Sequence, residues 1–211
     1  MLKIWGRVTS SNVQKVLWLA DELGLACERI DAGGPAGRVN DPDYRALNPN
    51  GLVPTIEDDD FVLWESNTIL RYLAAKHRAE GFYPADLRRR ADVERWMDWG
   101  STMLAPAIFP AFWGMIRTPP AERDHAAIGA SVAKTAGALS ILEAQLRTRP
   151  YLCGEAPTLA DVVTGVNAYR WFNIDFSPAG ALRPEMPALR LWYERLAQRP
   201  AYRARVMIPI R

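Results

Sequence analysis

Three groups of residues in the first third of the chain have types and spacing that could do chemistry. Ser10-Ser11-Asn12 stands just before a helical pattern. Two hydroxyls and an amide there are ordinary N-cap chemistry, but they also place donors at the positive end of a helix, where an anion is favoured. Asn48-Pro49-Asn50-Gly51-Leu52-Val53-Pro54-Thr55 is a turn that runs into a strand. Asn50-Gly51 is a tight-turn pair, since Gly takes positive φ at no steric cost and Asn nearly so. Val53 and Ile56 read as buried strand, and Pro54 between them removes a ladder donor. Either the strand is an edge there, or the Val53–Pro54 bond is cis and turns the N–H and C=O of Val53 away from the sheet, towards an extended peptide. Glu65-Ser66 opens another helix. Its hydroxyl and helix N-terminus suit a carboxylate, and its Glu suits an ammonium group. Each group alone is commonplace. Together they describe a cleft for an anionic, peptide-like ligand.

The elements that must position these groups follow from periodicity. Leu2 to Gly6 reads as a strand. Val13 to Leu23 has apolar residues at 13, 16, 17, 19, 20 and 23, a helical period, with Gly24 as its stop. Glu28 to Asp31 is a second short strand, Gly33 to Gly37 a loop, and Pro42 to Leu47 a single helical turn. Thr55 to Glu57 and Phe61 to Leu63 make a hairpin about Asp58-Asp59-Asp60. Thr68 to about Arg78 is a helix with Ile69, Leu70, Tyr72 and Leu73 on its apolar side. Residues 1–80 thus form an α/β domain of order β-α-β-(α)-β-β-α, and 81–86 a linker.

Residues 87–211 show no strand pattern and read as an all-α domain. Leu87 to Arg117 is expected as one long helix, bent near Pro106 and Pro110. Pro119-Pro120 starts a helix to about Arg147. Thr158-Leu159-Ala160-Asp161 has the form of a capping box, and Met186-Pro187 begins a last helix ended by Pro200.

The chain has 211 residues and a net charge of +2, too small to imply a nucleic-acid or membrane surface. Residues 1–80 carry nine basic and twelve acidic side chains against seventeen and twelve in the remainder. Arg88-Arg89-Arg90 is most simply a solvated helix face. Cys27 and Cys153 lie in apolar settings outside any C-x-x-C or His/Cys cluster. Buried structural thiols are expected, with no metal or dithiol redox site. No leader-like segment precedes the first strand and no apolar run reaches membrane-spanning length, so a cytoplasmic protein is expected.

The ordered set Ser-Ser-Asn-Val-Gln-Lys-Val, Asn-Pro-Asn-Gly-Leu-Val-Pro, Glu-Ser and Thr-Leu-Ala-Asp resembles the bacterial cytosolic glutathione transferases of serine type, with theta- and zeta-like features. The resemblance covers essentially the whole chain. It implies a thioredoxin-like first domain, an all-helical second domain, glutathione as co-substrate, a role in detoxification and a homodimer. Val53, next to a cis Pro54, would pair its backbone with the cysteinyl unit, and Glu65 and Ser66 would hold the γ-glutamyl end. The thiol would face Ser10, Ser11 and Asn12. Family contacts to the glycyl carboxylate come from the preceding loop, here Arg38 or Asn40. Thr158 and Asp161 match the family's structural capping box and stay outside the site.

Zeta-like members place the catalytic Ser five residues before the first basic residue of the helix, here Lys15, which selects Ser10. Theta-like members place it four before, which selects Ser11. Ser10 is favoured, with Ser11 close behind and Asn12 assisting. No Tyr falls in this stretch, and no Cys of the kind that forms a mixed disulfide. A free thiol near pKa ~8.5 is mostly protonated at neutral pH, so a donated hydrogen bond at a helix N-terminus would favour the attacking thiolate. The second substrate, a small apolar electrophile, would meet aromatic residues of the helical domain. Candidates come from the blocks Phe109, Phe112, Trp113, Met115, Ile116 and Tyr169, Trp171, Phe172, with Phe109, Trp113 and Tyr169 as the pocket and core packing accounting for most of the others. A glutathione-dependent isomerase, dehalogenase or disulfide reductase on the same fold, or a non-catalytic glutathione-binding protein, are the competing readings.

Overall fold

The computed structural model describes all 211 residues, which fall into two compact units. One comprises Met1–Tyr83 with Pro200–Ile208, the other Pro84–Arg199 with Pro209–Arg211.

The first unit is built on a four-stranded sheet. Its elements are β1 (Leu2–Trp5), α1 (Ser11–Glu22), β2 (Cys27–Ile30), α2 (Pro42–Leu47), β3 (Thr55–Asp58), β4 (Phe61–Trp64) and α3 (Ser66–Lys76). The strand order is β2-β1-β3-β4, with β1 and β2 parallel and the other pairs antiparallel. The parallel pair needs a crossover, which α1 supplies. The hairpin turns on Asp59, at φ +57, a left-handed position that Asp tolerates. Pro54 precedes β3 rather than interrupting it, and β3 is flanked on both sides. The edge-strand option is therefore excluded and the Val53–Pro54 bond is cis. Val53 belongs to the bend, not to the strand as the sequence suggested.

The apolar stripe expected on α1 understates its burial. Every residue from Val13 to Ala20 is buried, including Gln14 and Lys15. Two helices cover this stretch: α3, whose Ser66 Oγ lies 3.5 Å from Lys15 Nζ, and a ninth helix, α9 (Pro200–Arg205), which packs on α1 within this unit. Trp18 and Tyr202 meet edge to face with ring centroids 4.7 Å apart, and Arg205 donates two bonds, of 2.7 and 2.9 Å, to the carboxylate of Asp21. Pro200 read as a terminator in the sequence, but it opens a new helix, since Pro is well accommodated in a first turn. Residues 200–208 thus group with the first unit, whereas the sequence placed the whole of 87–211 in the helical domain.

The second unit is helical. Residues 87–117 form one continuous helical run, divided into α4 (Leu87–Trp99), a π turn (Gly100–Leu104), α5 (Ala105–Phe112) and a second π turn (Trp113–Arg117). It continues with α6 (His125–Leu146), α7 (Leu159–Asn173) and α8 (Pro187–Ala197). The prolines lie within α5, and a π turn stands on either side of it. There the Ser131 hydroxyl, on α6, donates to Ala107 C=O at 2.5 Å and accepts from Ala111 N–H at 3.0 Å. Pro119-Pro120 does not start α6. A short 3-10 turn intervenes, and Asp124 caps α6 by accepting the Ala127 N–H at 2.9 Å. The capping box of α7 is present. Asp161 accepts from Thr158 N–H and Oγ, Leu152 N–H and Trp192 Nε1, all buried, and burial pushes its pKa up against those four donors.

Candidate functional site

The bend that carries Val53 is held by residues on either side of it. Asn48 is buried, and its amide donates to the Leu52 carbonyl at 2.9 Å and to Thr55 Oγ1 at 3.1 Å. Its Oδ1 accepts from the Asn50 N–H at 3.0 Å. The Tyr44 hydroxyl, from α2, reaches the same Leu52 carbonyl at 2.6 Å and Thr55 Oγ1 at 2.9 Å. Gly51 is required at φ +62, and a Cβ there would also lie 2.5 Å from the Arg45 guanidinium carbon. With Leu52 and Thr55 fixed, the N–H and C=O of Val53 are left with no hydrogen-bond partner in the chain. Backbone groups are rarely left unpaired away from water, so this pair is an open edge for an extended ligand.

The helix starts lie close to this bend. Gly6 ends β1 where a Cβ would fall 2.4 Å from Val13 Cγ2 and 3.2 Å from Val53 Cβ, so its bare backbone lets α1 and the bend approach. Ser10 is the N-cap of α1 by backbone geometry, yet its side chain makes no capping bond. Its hydroxyl is uncommitted, contrary to the plain-cap reading. Ser11 and Asn12 form the first turn, Ser11 half-buried and Asn12 exposed. Glu65 precedes α3 at φ +72 and ψ 107, costly for a residue with a Cβ, and makes no side-chain capping bond. Ser66, the first residue of α3, is buried. Lys15 joins the two starts, with Nζ 2.9 Å from Asn12 Oδ1 and 3.5 Å from Ser66 Oγ. Within one unit the chain thus assembles an open backbone pair, two helix N-termini and an uncommitted hydroxyl.

Comparison with known proteins decides what this assembly belongs to. Residues 1–75 match the glutathione S-transferase N-terminal domain family and residues 103–200 the C-terminal domain family. The chain belongs to the glutathione S-transferase family. It is 41% identical to glutathione S-transferase GstB of Escherichia coli K12 over the whole of both chains. It is 32% identical to glutathione S-transferase 3 of Zea mays, covering 97% of this chain and 93% of that one. A theta class glutathione S-transferase from Xanthomonas axonopodis pv. citri, solved with glutathione bound, superposes with a TM-score of 0.93 at 46% identity, covering 100% and 99% of the two chains. Glutathione transferase F7 of Populus trichocarpa gives 0.84 at 29% identity, covering 97% of each.

In this transferase the two glycyl-contact candidates stand differently. Arg38, at φ +66, is exposed, with its guanidinium 5.1 Å from the centre of the Trp5 ring. Asn40 is also exposed, but its Oδ1 already accepts from Arg45 at 2.8 Å. Arg45 in turn donates to the Pro49 carbonyl at 2.7 Å, so Asn40 braces the bend.

Among the aromatic candidates of the helical unit, Phe109 and Trp113 are 50% and 52% exposed, with ring centroids 5.6 Å apart. Tyr169 is half-buried on α7, and burial raises its phenol pKa. Phe112, Met115 and Trp171 are buried as core.

The residues that sequence reasoning missed are Tyr44, Thr55 and Lys15. Tyr44 carried no motif, and Thr55 closed the Asn48–Thr55 stretch without its hydroxyl being given a role. Lys15 was used only as a spacing marker, although a Lys inside an otherwise apolar helical stretch was the available signal. Both thiols are half-buried rather than fully so, and burial raises Cys27 and pushes Cys153 up to about 12. Such thiols are poor nucleophiles. No group of three or more His, Cys, Asp and Glu side chains is placed to hold a metal ion, and no helix is long and apolar enough to cross a membrane.

Proposed function

We propose that this protein conjugates the glutathione thiolate to small apolar electrophiles, forming a thioether. The observation that carries the reading is the uncommitted hydroxyl of Ser10, at a helix N-terminus in the same unit as the open Val53 backbone pair. Val53 pairs with the cysteinyl unit of glutathione. Ser66, the α3 N-terminus and Glu65 hold the γ-glutamyl end, which offers both a carboxylate and an ammonium. Arg38 is the better glycyl-carboxylate contact, since its guanidinium brings a positive charge to the carboxylate where Asn40 offers only a neutral amide. Ser10 donates to sulfur, with Ser11 as the alternative donor and Asn12 assisting. A thiol pKa lowered by two units takes about 2.7 kcal/mol, within reach of a charge-assisted hydrogen bond plus part of a helix dipole.

The first unit is the glutathione-binding part. The helical unit supplies the apolar surface for the electrophile, with Phe109 and Trp113 as its exposed aromatic residues and Tyr169 beside them in role. The working form is a cytoplasmic homodimer, to be checked by sedimentation. The direct test is steady-state conjugation of glutathione to an activated aryl halide. Turnover is expected in wild type, with kcat/KM about a hundredfold lower in Ser10→Ala near neutral pH. Tight glutathione binding without turnover on aryl, alkyl or unsaturated electrophiles would leave a binding protein instead.

A further inference from the structure

Lys15 is 3% exposed. Lysines are almost never buried to this degree unless their ammonium is paired. Its position answers the question of what it does there. It lies one turn after Ser11 and Asn12 on α1, so the three share a face. Its Nζ bonds to Asn12 Oδ1 at 2.9 Å and makes a longer contact, 3.5 Å, to Ser66 Oγ at the start of α3.

An ammonium has three donors and no acceptor. Any bond from Lys15 therefore dictates the sense of its partner. Asn12 must turn its oxygen towards Lys15, which points its NH2 donors the other way. Ser66 must accept at Oγ, which leaves its O–H proton to be given elsewhere. Both partners become donors towards whatever lies over the two helix starts, and an anion is what such donors select.

We propose that Lys15 is a positioning residue for bound glutathione, orienting Asn12 and Ser66 as donors to its thiolate and γ-glutamyl carboxylate. This rests on the glutathione-binding reading above. The charge acts in the same direction, because a buried cation nearby favours the ionised form of both anions. Lys15 itself does not touch the reacting sulfur.

The test compares wild type, Lys15→Met and Lys15→Arg. Lys15→Met keeps the length and loses the charge, and Lys15→Arg keeps the charge. Glutathione affinity is read by calorimetry, and the ionisation of its bound thiol by the pH dependence of thiolate absorbance. Lys15→Met is expected to bind about tenfold more weakly and to raise the bound thiol's pKa by about one unit. Lys15→Arg should recover most of both.

A folded Lys15→Met with wild-type affinity and wild-type thiol ionisation overturns the proposal and leaves Lys15 a structural cation. Should Lys15→Met not fold, Asn12→Asp and Asn12→Ala decide, because Asn12 is exposed. Asn12→Asp keeps an acceptor for Lys15 but presents no donor outward. It must weaken binding at least as much as Asn12→Ala, and wild-type binding by Asn12→Asp sinks the idea. A wild-type protein that binds no glutathione refutes the glutathione reading itself, a separate outcome from a wild type that binds and a variant that does not change.

Discussion

At the scale of single residues, the bend at Val53 is held by the donors that satisfy the Leu52 carbonyl. Tyr44 and Asn48 both donate to it, and both also reach Thr55 Oγ1. Removing either donor loosens the bend that presents Val53. Tyr44→Phe is expected to cost about 1–2 kcal/mol of stability, and Asn48→Ala about 2–3, because the latter also strips the Asn50 N–H of its acceptor. Glutathione affinity should fall alongside. A denaturant series with calorimetry on the same samples checks this, and unchanged affinity in both variants would separate the turn from the site. Glu65 offers a sharper contrast. At φ +72 a Cβ is costly, so Glu65→Gly should be more stable than Glu65→Ala by about 1 kcal/mol while both bind glutathione poorly. These residues divide what the sequence could reveal. The Asn-Gly turn and the Ser-Ser-Asn run were visible because their residue types are rare outside turns and caps. The pairing of Tyr44 with Thr55 was not, because a hydrogen bond across eleven residues leaves no local pattern.

At the scale of elements, buried polar groups hold the helices and the hairpin. Ser131 bridges two backbone groups of α5, so Ser131→Ala should lose about 1–3 kcal/mol with glutathione affinity unchanged. Loss of binding in that variant would show that the effect is not confined to packing. Asp58, at the end of β3, accepts from Tyr72 and Lys76 of α3. Burial opposes its charge, but those two bonds and the Lys76 ammonium outweigh it and hold the carboxyl below its ordinary range. A depressed folded-state pKa adds stability that is present above the unfolded value, near pH 4, and is lost as pH falls through the folded value. The margin in melting temperature between wild type and Asp58→Asn should therefore hold steady from neutral pH to about 4 and shrink below it. A margin that grows on acidification contradicts the assignment. Periodicity gave the strands and helices of the first eighty residues nearly to their ends, since short amphipathic elements carry their pattern locally. It did not give the π turns, because proline marks a disruption without saying how the chain repairs it.

At the scale of the whole molecule, the segment after Arg199 leaves the unit where the helical half lies, and only Pro209–Arg211 group with that unit again. Residues 200–208 return to the first unit, and Tyr202 seals Trp18, both fully buried. The tail was hidden in the sequence because Pro200 is as good a stop as a start, and six residues are too few to show a period. Tyr202→Ala is expected to cost about 3–5 kcal/mol. Truncation after Arg199 should unfold the sheet-bearing unit by exposing the far face of α1, which limited proteolysis would detect. A truncated chain that still binds glutathione with wild-type affinity would mean that α9 is dispensable.

The measurement that bears most directly on the central claim is the pH titration of thiolate absorbance for glutathione bound to wild type, Ser10→Ala and Ser11→Ala. The account predicts ionisation well below the free value of about 8.5 in wild type, a return towards that value in Ser10→Ala, and little change in Ser11→Ala. Bound glutathione that ionises no more readily than in water, or a Ser10→Ala protein that titrates as wild type does, would contradict it.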